Sequence, residues 1–166
     1  MWLTDACGPP DSRAIADIWQ NVRIWFLRDE VTGADVPKYF PIDAGVAFAC
    51  DESDLIAINW RPGSLSADFI LPGISGHVVR VRFNDATIVR LVDEFPLSTE
   101  QDTETEGLVS RHFAYRVEGA VFAATQSEAW KVNFHPARHY RFITGWGCMD
   151  VLSKAAPSFE IVAIDN

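Results

Sequence analysis

Hydrophobic and polar positions change their period along this chain. After the breaker Gly8-Pro9-Pro10, Asp11 or Ser12 stands where a helix N-cap would. Ala14, Ile15, Ile18, Trp19, Val22, Trp25 and Phe26 then recur at helical spacing. β-branched and aromatic residues crowd residues 22–27, so a competing reading ends the helix near Trp19 and continues as a strand. Residues 29–43 carry Gly33, Pro37 and Pro41 and read as irregular.

Beyond them period two takes over. Residues 46–50 and 55–60 are apolar runs around the acidic turn Asp51-Glu52-Ser53-Asp54, and Arg61-Pro62-Gly63-Ser64 ends the second. Over 78–83, Val79, Val81 and Phe83 fall on one face and Arg80 and Arg82 on the other. Asn84-Asp85 has the chemistry of a two-residue hairpin turn into a strand over 86–92. Residues 111–117 alternate again, and Glu118-Gly119 turns them into a strand over 120–124. Thr125 or Ser127 can cap a short helix with Glu128 in its first turn, ending before Pro136. Residues 138–144, 148–152 and 159–164 read as three closing strands, with turns at Gly145-Trp146-Gly147 and Ala156-Pro157. The pattern predicts one α+β domain over 1–166: a mainly antiparallel sheet, open to strong curvature or barrel closure, with two short helices.

Composition sets bounds on what such a domain does. At 166 residues and 48% hydrophobic, a chain buries roughly 70% of its unfolded surface and needs no metal or disulfide to stand up. The net charge of −9, from 23 acids against 14 bases, repels phosphate and so argues against nucleic-acid and anionic-membrane partners. It favours a basic protein partner. Cys7, Cys50 and Cys148 are odd in number and contain no C-x-x-C pair, which predicts free thiols in a cytoplasmic protein. The first residues lack the basic and apolar regions of a leader, and no apolar stretch reaches the ~20 residues of a spanning helix.

Charge is unevenly distributed. Residues 91–110 hold Asp93, Glu94, Glu100, Asp102, Glu104 and Glu106 and no base. Arg80, Arg82 and Arg90 precede them, and Arg111, Arg116, Lys131, Arg138 and Arg141 follow.

Candidate chemistry is sparse. His112, His135, His139 and Cys148 or Asp150 could converge on a metal, but Pro136 breaks the helix that a His135–His139 pair would need, so neither metal nor cofactor is expected. Cys148 with His139 as base and Asp150 as orienter is a possible nucleophile, although a thiol in a strand is more often buried and inert. Gly145-Trp146-Gly147 lacks the strand-to-helix setting of a dinucleotide loop. Carboxylate pairs at Asp51-Glu52-Asp54 or Asp93-Glu94 fall at strand ends, where acids are normally solvated. Aromatic surface is the remaining option: Trp60, Trp130 and Trp146 lie beside turns, where an aromatic can serve binding. His112 with Arg116, and His139 with Arg141, would form one basic patch if their strands pair, a patch the acidic segment could cover.

Several short motifs occur in order: Phe83-Asn84-Asp85-Ala86, Arg90-x-x-Asp93-Glu94, Ser127-Glu128-Ala129-Trp130, His139-Tyr140-Arg141-Phe142-Ile143-Thr144 and Asp150-Val151-Leu152-Ser153. Their order over residues 80–155 resembles that in small uncharacterised bacterial proteins, some encoded like immunity proteins of toxin systems. The resemblance implies no catalytic residue.

The expectation is therefore a non-catalytic bacterial protein that binds a basic partner. Asp93, Glu94, Glu100, Asp102, Glu104 and Glu106 would carry that binding, with Trp130 or Trp146 as anchors. The rival is a small-molecule-binding or hydrolytic domain with a pocket of His112, His139, Arg141, Cys148 and Asp150. Convergence of three of these in one concavity would favour the rival.

Overall fold

Leu65, Ala67 and Phe69 alternate with polar residues in Ser64–Ile70, and all three are buried. Val79, Val81 and Phe83 do the same in His77–Phe83. Each strand thus offers one apolar row to one side. A computed structural model describes residues 36–100 and 104–164, all within the unit Asp35–Asn166. The helix or strand expected over 11–27, Cys7 and Asp102 lie outside the described residues.

Among the described residues the strands are β1 (Lys38–Pro41), β2 (Leu55–Arg61), β3 (Ser64–Ile70), β4 (His77–Phe83), β5 (Ala86–Asp93), β6 (Ala114–Glu118), β7 (Arg138–Phe142), β8 (Gly147–Ser153) and β9 (Ser158–Ala163). The short helices are α1 (Glu94–Ser98), α2 (Val121–Ala124) and α3 (Glu128–Phe134). The strands form two antiparallel sheets, ordered β1-β6-β7-β8-β5 and β2-β3-β4-β9. The α+β expectation holds, but the sheet does not close into a barrel.

The core lies between the two sheets. Phe142 of β7 meets Phe69 of β3 at 5.8 Å and Phe83 of β4 at 6.1 Å between ring centroids. Met149 and Val151 of β8 join the same buried cluster. Tyr140, Phe142, Met149 and Val151 therefore point inward, and alternation sends His139, Arg141, Cys148 and Asp150 to the opposite face of the five-stranded sheet.

Several sequence expectations are corrected. Asn84-Asp85 does not make a hairpin: β4 is flanked by β3 and β9, while β5 pairs with β8, so the turn carries the chain from one sheet to the other. Both strands offer an apolar row, and a short turn permits either pairing or crossing. Residues 46–50 are not a strand; Phe48 and Cys50 pack against the core from an irregular segment, and Cys50–Glu52 is a 3-10 turn. The strand expected over 120–124 is instead α2, with Ala120 as its N-cap, because Gly119, at φ +75°, ends β6. The sequence Val121-Phe122-Ala123-Ala124 then closes a helical turn, with the Thr125 N–H donating to the Val121 carbonyl. β6 begins at Ala114 because Arg111, at φ 61°, lies in a turn. β3 is not among the expected strands although its alternation is regular. β1 lies within the segment read as irregular; as the edge of its sheet it accommodates Pro41. The helix expected near Ser127 is α3, and the Ser127 side chain accepts from the Trp130 N–H.

Among the described residues no helix is long and apolar enough to cross a membrane.

Candidate functional site

β5, β8 and β7 are neighbours, and their register sets Arg90 and Arg141 directly opposite Asp150 on either side. Cross-strand partners share a face, so the row reads cation, anion, cation on the sheet face away from the core. Asp150 Oδ1 accepts from Arg141 Nε and from His139 Nε2, both at 2.7 Å. Its Oδ2 accepts from Arg90 Nε at 3.0 Å and also from Arg90 Nη2. Arg141 Nη1 donates to the Tyr39 hydroxyl at 2.7 Å. Glu100, beyond α1, takes both terminal nitrogens of Arg90 and accepts from Arg141 Nη2 at 3.3 Å. Phe122 of α2 lies 4.3 Å from the Arg90 guanidinium and 5.3 Å from the His139 ring. Asp150, His139 and Arg141 are buried.

Burial alone would neutralise these groups, and the ion pairs decide otherwise. Desolvation pushes the Asp150 carboxyl up, but hydrogen bonds from His139 and Arg141 and the Arg141 charge outweigh it, leaving Asp150 well below the usual carboxylate range. Arg141 likewise stays charged because Asp150 outweighs its burial. For His139 burial wins: its pKa falls, despite the pull of Asp150, and Arg141 and Arg90 lower it further. The imidazole is therefore neutral, donates Nε2–H to Asp150, and leaves Nδ1 without a hydrogen-bond partner among the described residues. Two guanidinium charges meet two carboxylates, so the cluster is balanced. The ion pairs tie β5, β8 and β7 together.

Of the rival pocket, His139, Arg141 and Asp150 converge, but under cover. Cys148 shares their face; its hydrogen bonds go to the Thr144 N–H at 3.5 Å and carbonyl at 3.8 Å, and burial pushes the thiol pKa up. A protonated thiol is a poor nucleophile. His112 stands apart, with its ring against Tyr115. The proposed four-residue basic patch does not form: Arg116 pairs with Tyr140 in the register, opposite in face to His139 and Arg141, and stacks on Phe40. Among the described residues no three His, Cys, Asp or Glu side chains converge as metal ligands.

The acidic segment divides. Glu100 turns inward to the arginines, Glu106 pairs with Lys38 at 3.4 Å, and Glu104 is exposed. Asp93 caps α1, accepting from the Phe95 N–H at 3.0 Å. The Glu94 N–H donates to the Trp146 carbonyl at 2.9 Å. Trp146 thus sits beside Asp93 and Glu94, whereas Trp130 stacks on Phe134 within α3.

Gly145 and Gly147 explain how Trp146 is presented. A Cβ on Gly145 would lie 2.8 Å from the Asp51 carbonyl oxygen, and one on Gly147 would lie 3.0 Å from Asp54 Oδ1. The turn is pinned by Gly147 N–H to Asp54 Oδ1 at 2.8 Å and Gly145 N–H to the Ser53 carbonyl at 3.2 Å. The indole projects outward, 71% exposed, with Phe95 72% and Leu91 50% exposed. Leu91, Asp93, Trp146 and Asp54 line a common groove.

Sequence reasoning missed Arg90, Tyr39, Phe122, Phe95 and Leu91. A signal existed for Arg90: it is the lone charge in Ile88-Val89-Arg90-Leu91-Val92, as Asp150 is in Cys148-Met149-Asp150-Val151-Leu152. A charge inside an apolar strand asks for an opposite one.

No protein-family model, curated protein or solved structure matches the chain.

Proposed function

We propose that this chain is a non-catalytic bacterial cytoplasmic protein that binds a basic protein partner, in the manner of an immunity-type protein of a toxin system. The observation that carries the reading is the Glu94–Trp146 hydrogen bond at 2.9 Å, which places exposed aromatics among exposed acids. An exposed Trp on a pinned turn, sharing a groove with Leu91, offers the kind of aromatic anchor that dominates binding hot spots. Asp93 and Glu94, on a chain of net charge −9, supply the complementarity that speeds encounter with a basic surface. The neutral imidazole, protonated thiol and balanced ion cluster favour binding over hydrolysis.

The test is kinetic. A partner recovered with the protein from its native cells should be basic, and its association should slow as salt rises. Trp146→Ala with Phe95→Ala should raise Kd at least tenfold through faster dissociation, and Asp93→Asn with Glu94→Gln should slow association. Failure of both pairs of substitutions to change binding overturns the reading.

A further inference from the structure

Asp150 serves two guanidinium groups, and one carboxylate cannot balance both. The second negative charge is Glu100. These groups are held differently: Arg90, Asp150 and Arg141 ride on β5, β8 and β7, whose register fixes them, whereas Glu100 follows α1 and belongs to no strand or helix. The arginine pair is therefore organised by the sheet, and its fourth member arrives from a connecting segment. Beside Arg141 opens a cleft of about 340 Å³, within the roughly 300–1,000 Å³ of small-molecule sites. Arg141 and Tyr39 line its polar side, and Leu97, Leu108 and Ile143 give it apolar wall.

We propose that Arg90 and Arg141 form a carboxylate-binding seat, occupied here by the chain's own Glu100, and that the adjoining cleft takes the apolar body of a small organic monocarboxylate. This goes beyond the docking of a protein partner and does not depend on it. An incoming carboxylate would accept the same charge-assisted hydrogen bonds that Glu100 accepts from Arg90 and Arg141. Glu94 also lines the cleft, and its charge disfavours ligands with a second negative group. Glu100 is a tethered competitor at an effective concentration in the millimolar range, so the unaltered chain binds such a ligand only weakly.

The experiment uses hexanoate with the full chain, measured by calorimetry and by thermal unfolding at fixed ionic strength. Glu100→Ala should bind hexanoate at least tenfold more tightly than the unaltered chain. Its melting temperature should fall and be partly restored by hexanoate, and not by hexylamine or by equal chloride. Adding Arg90→Met to that variant should abolish the gain. Should Glu100→Ala fail to fold, Glu100→Gln, which keeps an acceptor without the charge, is held to the same criteria. Equal hexanoate affinity with and without Glu100 overturns the proposal, as does restoration by hexylamine or chloride, or tighter binding of inorganic phosphate than of hexanoate.

Discussion

Arg141 and Asp150 face each other across β7 and β8, with Arg141 Nε donating to Asp150 Oδ1 at 2.7 Å and both side chains buried. The pair sits in a network, so removing its acid leaves two guanidinium groups without that partner. Asp150→Asn should cost about 3–5 kcal/mol, the usual penalty for stranding a buried charge. Urea unfolding measures this. Glu106→Gln is the control: its partner Lys38 is exposed, and exposed pairs contribute about 0–1 kcal/mol. Similar losses for the two would show that the network carries no special stability.

His139 sets a pH dependence. Burial lowers its pKa from the ordinary 6.5, so the unfolded chain takes up a proton that the folded chain refuses. The stabilisation is complete above pH 6.5 and is lost as pH falls toward the folded pKa. Asp150 and Glu100, both held below the ordinary carboxylate range, extend the loss under more acid conditions. Unfolding free energy should therefore drop between pH 7.5 and 5.5, by no more than about 1.4 kcal/mol per pH unit for this one imidazole. His139→Gln should flatten the difference. An unchanged slope in the variant assigns the effect to other groups.

Gly107 and Gly145 are expected to be intolerant for different reasons. Gly107 is at φ +76°, and a Cβ there would lie 2.3 Å from the Tyr39 carbonyl oxygen. Gly145 meets only the steric limit, at 2.8 Å from the Asp51 carbonyl oxygen. Gly107→Ala should lose at least about 2 kcal/mol from backbone strain and displacement together. Gly145→Ala should lose less and should alter the fluorescence of Trp146 by shifting its turn. Gly63→Ala, with positive φ but open space around it, isolates the conformational cost alone. Equal losses at Gly63 and Gly107 would remove the steric argument.

The acidic segment should not behave as one unit. Glu100 is shared by two arginines, so Glu100→Gln should cost about 1–3 kcal/mol. Glu104 is exposed, and Glu104→Gln should stay within about 0.5 kcal/mol. Thermal or urea unfolding of the two single variants distinguishes them, and equal effects would mean that the segment acts only through its summed charge.

Local periodicity by itself determined much of this protein. Alternation over Val79, Val81 and Phe83, the Ser127 cap of α3 and the closing strands around Arg138, Cys148 and Phe159 all depend on neighbours a few residues apart, and all are legible in the chain. Pairing was not legible. Asn84-Asp85 suits a hairpin as well as a crossing, and only competition among all the strands sent β5 to β8 instead of β4. The site shows the same division. Alternation already gave His139 and Arg141 a common side of their strand, and Cys148 and Asp150 a common side of theirs. Only register across β5, β8 and β7 brought Arg90, Asp150 and Arg141 into one row. That row spans 60 residues of sequence between Arg90 and Asp150. Short-range pattern fixes which way a side chain points, whereas the partner it meets is decided by long-range pairing that no single segment encodes.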